Sequence, residues 1–366
     1  MARNTIPWAS PHYWGNEERY VLDALKSSWI SGGAYVDQLE RDFARYCDSP
    51  HVAVTSNGTT ALHLAFLALD LRAGDEVIVP GFGFMAAANV ALNMGAKPVF
   101  SEVDRATWCT TAKDIERCLS PKTKAIVPIH TYGNVCDMKP IMELSADCGV
   151  TVVEDAAEAI GSKYNGQMAG TIAPLGVYSF HATKTITTGE GGAVATRSAE
   201  WLERMRLFRS HGMASRRYWH EVAGHNFRLT NMQAAIGCGQ LEKVDLISAE
   251  RHRVYSTYRR HLEDAPGISL QHYHDSVEPV VWAIAAELDA ESFPQGRDGV
   301  MDQLKLMGIE TRPGFYSADT MPHLYGAMEL PVCSRLSQQV ISFPSSPNLS
   351  DEEIEYVCHS LHTCRK

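Results

Sequence analysis

The chain has 366 residues, 45% hydrophobic and 21% charged, which is ordinary for a globular protein with one or two sizeable cores. Its formal charge of −10 argues against nucleic acid as a partner, because phosphate backbones require a basic surface. No stretch reaches the roughly 20 apolar residues that cross a bilayer, and residues 1–11 lack the apolar segment of a signal peptide. The nine cysteines contain no Cys-x-x-Cys pair. We therefore expect a cytoplasmic protein with reduced thiols and no metal site.

The first two-thirds of the chain predict an α/β fold. Residues 16–47 indicate two amphipathic helices that are interrupted at residues 31–33. Short apolar runs then alternate with stretches of helical period, which favours a mostly parallel sheet with helices on both faces. Ligands of such sheets bind at the carboxyl ends of the strands. The apolar runs lie at 51–55, 76–80, 98–103, 125–130, 151–154, 177–180 and 193–196, and the helical stretches at 59–71, 85–94, 112–119 and 138–148.

The last third predicts a smaller α+β unit. Its pattern indicates a long helix at 229–244, a second helix at 249–262, a strand near 280–288, and later helices at 300–307 and 351–361. We therefore predict a large ligand-binding domain over residues 1–250, which includes the N-terminal helices, and a small C-terminal domain over residues 251–366.

A candidate phosphate site lies at residues 56–62, where a predicted strand leads through SNGTTAL into a helix. Gly58 lets the backbone approach a ligand closely, and a helix N-terminus offers free N–H groups to a phosphate. Thr59 and Thr60 add two hydroxyl groups in the first turn. The same residues are also typical of an ordinary helix cap.

Two further segments carry charged groups at strand ends. Asp155 follows the run at 151–154 and is able to hold a cationic ring nitrogen or simply to cap a turn. Lys184 follows the run at 177–180 and precedes a glycine-rich turn, where it is either a surface lysine or a desolvated nucleophile for a Schiff base. Ser179, at the end of the same run, is a candidate phosphate ligand.

Together these segments predict a pyridoxal 5′-phosphate site. That cofactor needs a phosphate cup, an acid beside its pyridine nitrogen, a lysine for its aldehyde and a flat wall for its ring. The phosphate turn, Asp155 and Lys184 supply the first three, and Phe84, after the run at 76–80, is the candidate wall.

Long motifs of this chain resemble the DegT-type sugar aminotransferases, which share the aspartate-aminotransferase fold, fold type I of the pyridoxal-phosphate enzymes. The motifs are SNGTTALHLA at 56–65, GDEVIVPGFGF at 74–84, VVEDAAEAIG at 152–161, SFHATKTITTGEGG at 179–192 and HNFRLTNMQAAIG at 225–237. Within the family, TTGEGG at 187–192, RRYWH at 216–220, GIETRP at 308–313 and MPHLY at 321–325 resemble the perosamine-forming members.

The resemblance implies roles for these residues. Lys184 would bind the cofactor aldehyde and act as general acid and base, with Asp155 on the pyridine nitrogen and Glu158 near the ring hydroxyl. The phosphate contacts would come from Gly58, Thr59, Thr60 and Ser179 and from Asn226 of a second subunit, which implies a homodimer with sites at the interface. The candidate residues for sugar, diphosphate or catalysis are Trp29, Ser31, His181, Tyr218, Arg312 and Tyr316.

The implied reaction moves the amino group of L-glutamate onto a nucleotide-linked 4-keto-6-deoxy sugar, for O-antigen or other surface polysaccharide. Two departures leave the nucleotide open among GDP, UDP and dTDP. The triplet before Lys184, from His181 to Thr183, resembles members that use UDP- or dTDP-sugars, and Phe84 stands where the family usually has Tyr. A lyase or sugar dehydratase on the same cofactor, a non-catalytic regulator and a cofactor-free nucleotide-binding protein are the alternatives.

Overall fold

The computed structural model describes residues 5–324 and 329–366, so Tyr325 of the motif at 321–325 lies outside the described residues. The helices are α1 Glu17–Lys26, α2 Ala34–Tyr46, α3 Gly58–Ala68, α4 Ala86–Asn93, α5 Ala112–Glu116, α6 Met138–Cys148, α7 Ala199–Arg209, α8 Asn231–Leu241, α9 Val244–Leu262, α10 Gly296–Leu306, α11 Pro331–Gln339 and α12 Asp351–Thr363. The strands are β1 His51–Thr55, β2 Glu76–Pro80, β3 Lys97–Ser101, β4 Thr123–Ile126, β5 Thr151–Asp155, β6 Lys163–Tyr164, β7 Gln167–Met168, β8 Leu175–Ser179, β9 Gly192–Thr196, β10 Ile268–Leu270, β11 Val277–Glu278, β12 Ala285–Leu288, β13 Arg312–Pro313 and β14 Val340–Ser342.

Seven strands form the main sheet, in the order β1-β9-β8-β5-β4-β2-β3. Strand β9 runs antiparallel to both of its neighbours, and the other pairs are parallel. This confirms the predicted α/β class with a mixed, mostly parallel sheet. Because β5 and β8 are parallel neighbours, their carboxyl ends open at the same edge of the sheet.

Both faces of this sheet are buried, which explains why its strands are continuous apolar runs rather than alternating ones. Val77 and Val79 belong to one core with Phe66 of α3. Ile78, between them, belongs to a second core with Phe43 of α2. The alternation along β2 therefore distributes successive side chains to the two helical layers.

A second sheet, in the order β10-β12-β14-β13, is formed by the C-terminal part of the chain and is antiparallel throughout. Its core is shared with α9, α10 and α12, which contribute Val254, Val300 and Ile354. Helix α9 runs without interruption through residue 250, so the division of the chain at that residue stays a prediction. Among the described residues, no helix is long and apolar enough to span a membrane.

The predicted helices at 229–244 and 249–262 differ in their bounds from α8 and α9. Helix α8 begins after Thr230, because the Thr230 hydroxyl accepts from the Gln233 N–H in a capping box. It ends at Leu241, and α9 already begins at Val244. The sequence does not mark this break, since no glycine or proline lies between Leu241 and Val244.

The strand predicted near 280–288 is also shorter in the structure, where β12 covers only Ala285–Leu288. The backbone N–H groups just before β12 form hydrogen bonds with groups outside this sheet. The Trp282 N–H donates to the Tyr132 carbonyl at 3.1 Å, and the Ile284 N–H donates to the Ser345 hydroxyl at 2.8 Å. The apolar run is therefore buried without being a strand throughout.

We expect Gly176→Ala to destabilise the protein, because a Cβ at Gly176 would stand 1.8 Å from the Gly170 carbonyl oxygen, a backbone atom that cannot rotate away. Overpacking of this kind costs about 1–3 kcal/mol. The measurement is the midpoint of urea unfolding. Gly32→Ala is the control, since nothing lies within 4 Å of its added Cβ. Equal midpoints for the two variants would contradict the packing described for β8.

Candidate active site

Lys184 lies in the turn that connects β8 to β9. The turn is closed by hydrogen bonds from Phe180 N–H to the Gly191 carbonyl at 2.8 Å and from Lys184 N–H to the His181 carbonyl at 2.9 Å. The Lys184 side chain is only 12% exposed, so it is not the solvated surface lysine that the sequence left open.

The groups around the Lys184 amine have opposite effects on its pKa. Its Nζ lies 3.8 Å from Oε1 of Glu158 and 3.5 Å from the ring centroid of Trp282. Burial lowers the pKa of Lys184, the charges of Glu158 and Asp155 raise it, and Arg251 lowers it again. Desolvation is the largest of these effects, so a neutral amine is accessible at a lower pH than for a free lysine.

Asp155 is the last residue of β5 and is buried. Its Oδ1 accepts from the Ala157 N–H at 3.1 Å, and no group of the described chain donates to Oδ2. Burial raises the pKa of Asp155, while the Ala157 hydrogen bond and the Lys184 charge lower it. A protonated ring nitrogen would supply the missing donor and the missing positive charge, so this carboxylate fits the pyridine nitrogen of the predicted cofactor.

Glu158 is held by the backbone of a strained turn. Its Oε2 accepts from the Tyr132 N–H at 2.8 Å, and Tyr132 has the left-handed φ of 60°. Burial raises the pKa of Glu158 to about 7, and the Lys184 charge and the Tyr132 hydrogen bond oppose this effect. The ion pair with Lys184 is therefore sensitive to the protonation of Glu158.

A third buried carboxylate, that of Glu154, anchors the strand ends on which Asp155 lies. Glu154 accepts from His130 Nε2 at 2.9 Å, from the Gly170 N–H at 2.8 Å and from the Ala173 N–H at 2.5 Å. His130 Nδ1 accepts from the Cys136 N–H, which assigns the ring proton to Nε2. Glu154 thus ties β5 to the end of β4 and to the segment that leads into β8.

The turn before α3 combines both interpretations offered by the sequence. Asn57 caps the helix, because its Oδ1 accepts from the Thr60 N–H at 2.8 Å and its own N–H donates to the Thr60 hydroxyl at 3.1 Å. Both polar groups of Thr60 are therefore engaged within the turn. Gly58 and Thr59 head the helix, and Thr59 is exposed. A phosphate contact from any of these residues stays a prediction.

Ser179 lies directly beside this turn. A Cβ at Gly58 would stand 3.0 Å from the Ser179 Cβ, and a Cβ at Gly192 would stand 2.6 Å from the Asn57 carbonyl carbon. The turn and the end of β8 therefore approach each other only because both glycines lack a side chain. The result is a small-residue cradle at a helix N-terminus with one hydroxyl beside it, which fits a phosphate group.

The aromatic and imidazole candidates differ in their exposure and in their contacts. Phe84 is 62% exposed, and its ring centroid lies 6.4 Å from that of Phe315, so the ring is available as a wall. His181 Nδ1 accepts from the Thr183 N–H at 3.4 Å, and its Nε2 lies 3.8 Å from Glu190. His181 is thus oriented by its own turn, and its catalytic role stays a prediction.

Arg312 and Tyr316 come from the C-terminal part of the chain. The Arg312 guanidinium lies 5.8 Å from the Trp8 ring centroid and pairs with Glu310 at 2.6 Å. The Trp8 ring is itself in edge contact with Trp282 at 5.7 Å, which connects Arg312 to the surroundings of Lys184. Tyr316 is 53% exposed.

Four predicted residues have no contact with Lys184 in the described parts of this chain. Trp29 and Tyr218 are 70% and 75% exposed, and Ser31 is also exposed. Asn226 is exposed too, and its Oδ1 accepts from the Arg228 guanidinium at 3.0 Å. Their contribution to a binding site stays a prediction, which for Asn226 involves a second copy of the chain.

Sequence reasoning missed Trp282 and Arg251. The Arg251 guanidinium is buried and donates to the Lys184 carbonyl at 3.2 Å and to the Trp282 carbonyl at 3.0 Å. Arg251 interrupts the apolar face of α9 formed by Ile247, Val254 and Tyr258, and that interruption was the available signal. Trp282 offered none beyond its place in an apolar run.

Within the described parts of the chain, no group of three or more His, Cys, Asp or Glu side chains is arranged to hold a metal ion.

We expect Glu158→Gln to change how the stability of the cofactor-free protein depends on pH. The pKa of Glu158 is raised in the fold from 4.5 to about 7, so its contribution to stability is fully present below pH 4.5 and is lost as the pH rises through 7. The difference in melting temperature, variant minus wild type, should therefore increase between these pH values. Glu355→Gln, at an exposed site, is the control. A difference that is constant with pH would contradict this account of Glu158.

Comparisons with known proteins agree with this geometry. The model of the DegT/DnrJ/EryC1/StrS aminotransferase family matches residues 13–362. The GDP-perosamine synthase of Escherichia coli O157:H7 is 40% identical over 365 residues, which cover 98% of each chain. Helicobacter pylori PseC, an aminotransferase of pseudoaminic acid biosynthesis, superposes with a TM-score of 0.94 at 26% identity over 99% of each chain.

The Streptococcus pneumoniae protein Spr1654, solved in PMP form and in PLP form, superposes with a TM-score of 0.93 in both. The PMP form is 26% identical and the match covers 98% of this chain and 97% of that one. The fold, the free carboxylate of Asp155 and the buried amine of Lys184 agree with a cofactor that cycles between these two forms. The chain therefore belongs to the DegT/DnrJ/EryC1/StrS aminotransferase family and is a pyridoxal-phosphate-dependent sugar aminotransferase.

Proposed function

We propose that this enzyme transfers the amino group of L-glutamate to a nucleotide-linked 4-keto-6-deoxy sugar, as a step in the synthesis of O-antigen or another surface polysaccharide. The observation that carries the proposal is the buried amine of Lys184 between Glu158 and the Trp282 ring, at the sheet edge where Asp155 also ends. Relatives named GDP-perosamine synthase support the sugar class, at 37% and 40% identity. The cytoplasmic location stays a prediction.

The residues present would hold the cofactor at three points. The N-terminus of α3 with Gly58 and Ser179 would take the phosphate, Asp155 would keep the ring nitrogen protonated, and Glu158 lies where it would meet the ring hydroxyl. When bound, pyridoxal phosphate supplies an electron-withdrawing ring that stabilises the carbanion left by loss of a proton.

Lys184 would move that proton. Because burial lowers its pKa, the neutral amine is able to remove a proton from the α-carbon of the donor, and the resulting ammonium returns it at the next carbon. The nearby carboxylate of Glu158 stabilises this ammonium. In the second half-reaction, Lys184 would carry out the same proton transfers in reverse order on the keto-sugar.

The nucleotide and the sugar would bind at the mouth of the pocket. Arg312 suits a diphosphate because its planar guanidinium is able to bind two oxygens. Phe84, His181 and Tyr316 would contact the ring or the sugar. The His181–Thr183 triplet favours UDP- or dTDP-linked sugars as a second candidate, which the experiment below separates from GDP-linked ones.

We further propose that the active form is a homodimer in which Asn226 and neighbouring residues complete the site of the other subunit. Large apolar side chains are exposed on and after α1: Leu22, Leu25, Trp29 and Ile30. Covering them by a second copy would remove apolar area from water, which favours association. Asn226 and Tyr218 are exposed on a separate segment, where they are available to a neighbouring subunit.

Incubation with L-glutamate and a panel of GDP-, UDP- and dTDP-linked 4-keto-6-deoxy sugars should yield one amino sugar and one equivalent of 2-oxoglutarate. We expect the GDP-linked sugar to react fastest. Lys184→Ala should abolish both turnover and the absorbance band of the cofactor joined to Lys184, because no amine remains to join the aldehyde. Lys113→Ala, at an exposed helix position, is the matched control and should behave as wild type.

Retained turnover in Lys184→Ala would exclude Lys184 as the catalytic base. Elimination of water or ammonia from the sugar, without 2-oxoglutarate, would favour a lyase or dehydratase instead.

Mixing Lys184→Ala with Asn226→Ala protein, after reversible dissociation, should restore activity that neither variant has alone. A mixed dimer with shared sites has one site with both native residues, whereas a site built from a single chain would be defective in each subunit. The measurement is turnover against the ratio of the two variants. Absence of any recovery, with mixed dimers verified by mass, would show that Asn226 acts within its own chain.

A further inference from the structure

Trp282 makes the closest aromatic contact with the amine on which the proposed function depends. The Lys184 Nζ lies 3.5 Å from the centroid of the Trp282 ring, within the range in which a cation is attracted to a π face. Trp282 is only 7% exposed, so water does not screen this contact. We propose that Trp282 is a positioning residue, which holds the released ammonium of Lys184 against its ring and sets the affinity of that amine for a proton.

Hydrogen bonds fix the Trp282 ring relative to the lysine turn. Its Nε1–H donates to the Thr183 carbonyl at 2.7 Å, one residue before Lys184. The Arg251 guanidinium then donates to the carbonyls of both Trp282 and Lys184, at 3.0 and 3.2 Å. The Trp282 ring is therefore bonded directly to the lysine turn, and Arg251 bridges the backbones of Trp282 and Lys184.

The backbone of Trp282 is also connected, through Tyr132, to the Glu158 carboxylate. The Trp282 N–H donates to the Tyr132 carbonyl at 3.1 Å, and the Tyr132 N–H donates to Glu158 at 2.8 Å. Gly133 allows this approach, since a Cβ there would stand 2.8 Å from the Trp282 nitrogen. The indole face and the carboxylate thus form one binding site for the ammonium group.

This binding site suits both protonation states that Lys184 needs, the neutral amine and the ammonium. The conclusion rests on the proposed function. As a base the amine must be neutral, and burial and the Arg251 charge favour that state. As an acid it must hold a proton until the next carbon is ready, and Glu158, Asp155 and the ring favour that state. The proton taken from one carbon stays on Nζ and is returned to another, so no proton is gained or lost in the transfer.

Replacing Trp282 by mono-, di- and trifluorinated tryptophan provides a graded test. Fluorine withdraws electrons from the ring face and weakens its attraction for a cation, while the shape and the Nε1–H donor remain. The pKa of Lys184 should fall stepwise along this series, and by about 1 in Trp282→Leu. The same series at Trp201 of α7, which does not line the pocket that Lys184 and Trp282 share, is the control and should leave the pKa of Lys184 unchanged.

The readout is the pH dependence of trace acetylation of Lys184 by acetic anhydride in the full cofactor-free chain, quantified by mass spectrometry. A midpoint that is the same for tryptophan and all fluorinated forms would overturn the proposal. If Trp282→Leu fails to fold, the fluorinated series still decides. The acetylation assay uses no substrate, so it is independent of the amine-transfer assay with the sugar panel. A midpoint that changes along the series, in a protein that transfers no amine, would reject the proposed function alone. A midpoint that does not change, in a protein that does transfer the amine, would reject this inference alone.

Discussion

The removal of one amine from water is the constraint on which this site depends. A buried ammonium is costly unless charges and hydrogen bonds of the protein replace its hydration. Lys184 finds this replacement in the carboxylate of Glu158 and the face of Trp282, with Asp155 and Arg251 acting from further away. These opposing influences leave the amine able to change its protonation state, which a proton-transfer residue requires.

The main sheet makes this arrangement possible. Parallel pairing of β5 and β8 places Asp155 and Ser179 at one edge, and the turn after β8 brings Lys184 back over it. The buried His130–Glu154 pair holds the strand ends together beneath the site. The cradle at the start of α3 is closely packed: a Cβ at Gly192 would stand 2.6 Å from the Asn57 carbonyl carbon, and a Cβ at Gly58 would stand 3.0 Å from the Ser179 Cβ.

The C-terminal part of the chain contributes the groups that orient the lysine rather than those that would bind the cofactor. Arg251 belongs to α9, and Trp282 precedes β12. Both contact the lysine turn through backbone carbonyls, so their effect depends on the packing of α9 and the second sheet against the first. Substitutions far from the pocket in these elements are therefore able to alter the acid–base behaviour of Lys184.

The sequence by itself determined the α/β class, because alternating apolar runs and helical periods report burial on two faces. It also predicted the cofactor and the segments around Gly58, Asp155 and Lys184, because each follows a strand within one contiguous motif. Only the tertiary structure decided that the hydroxyl of Thr60 is engaged in a cap and that Trp282 and Arg251 meet Lys184. The Thr60 cap is a local contact with Asn57, which the sequence left open against a phosphate contact. The contacts of Trp282 and Arg251 with Lys184 join residues about 70 to 100 positions apart along the chain, and local periodicity carries no information about which distant side chains share a pocket.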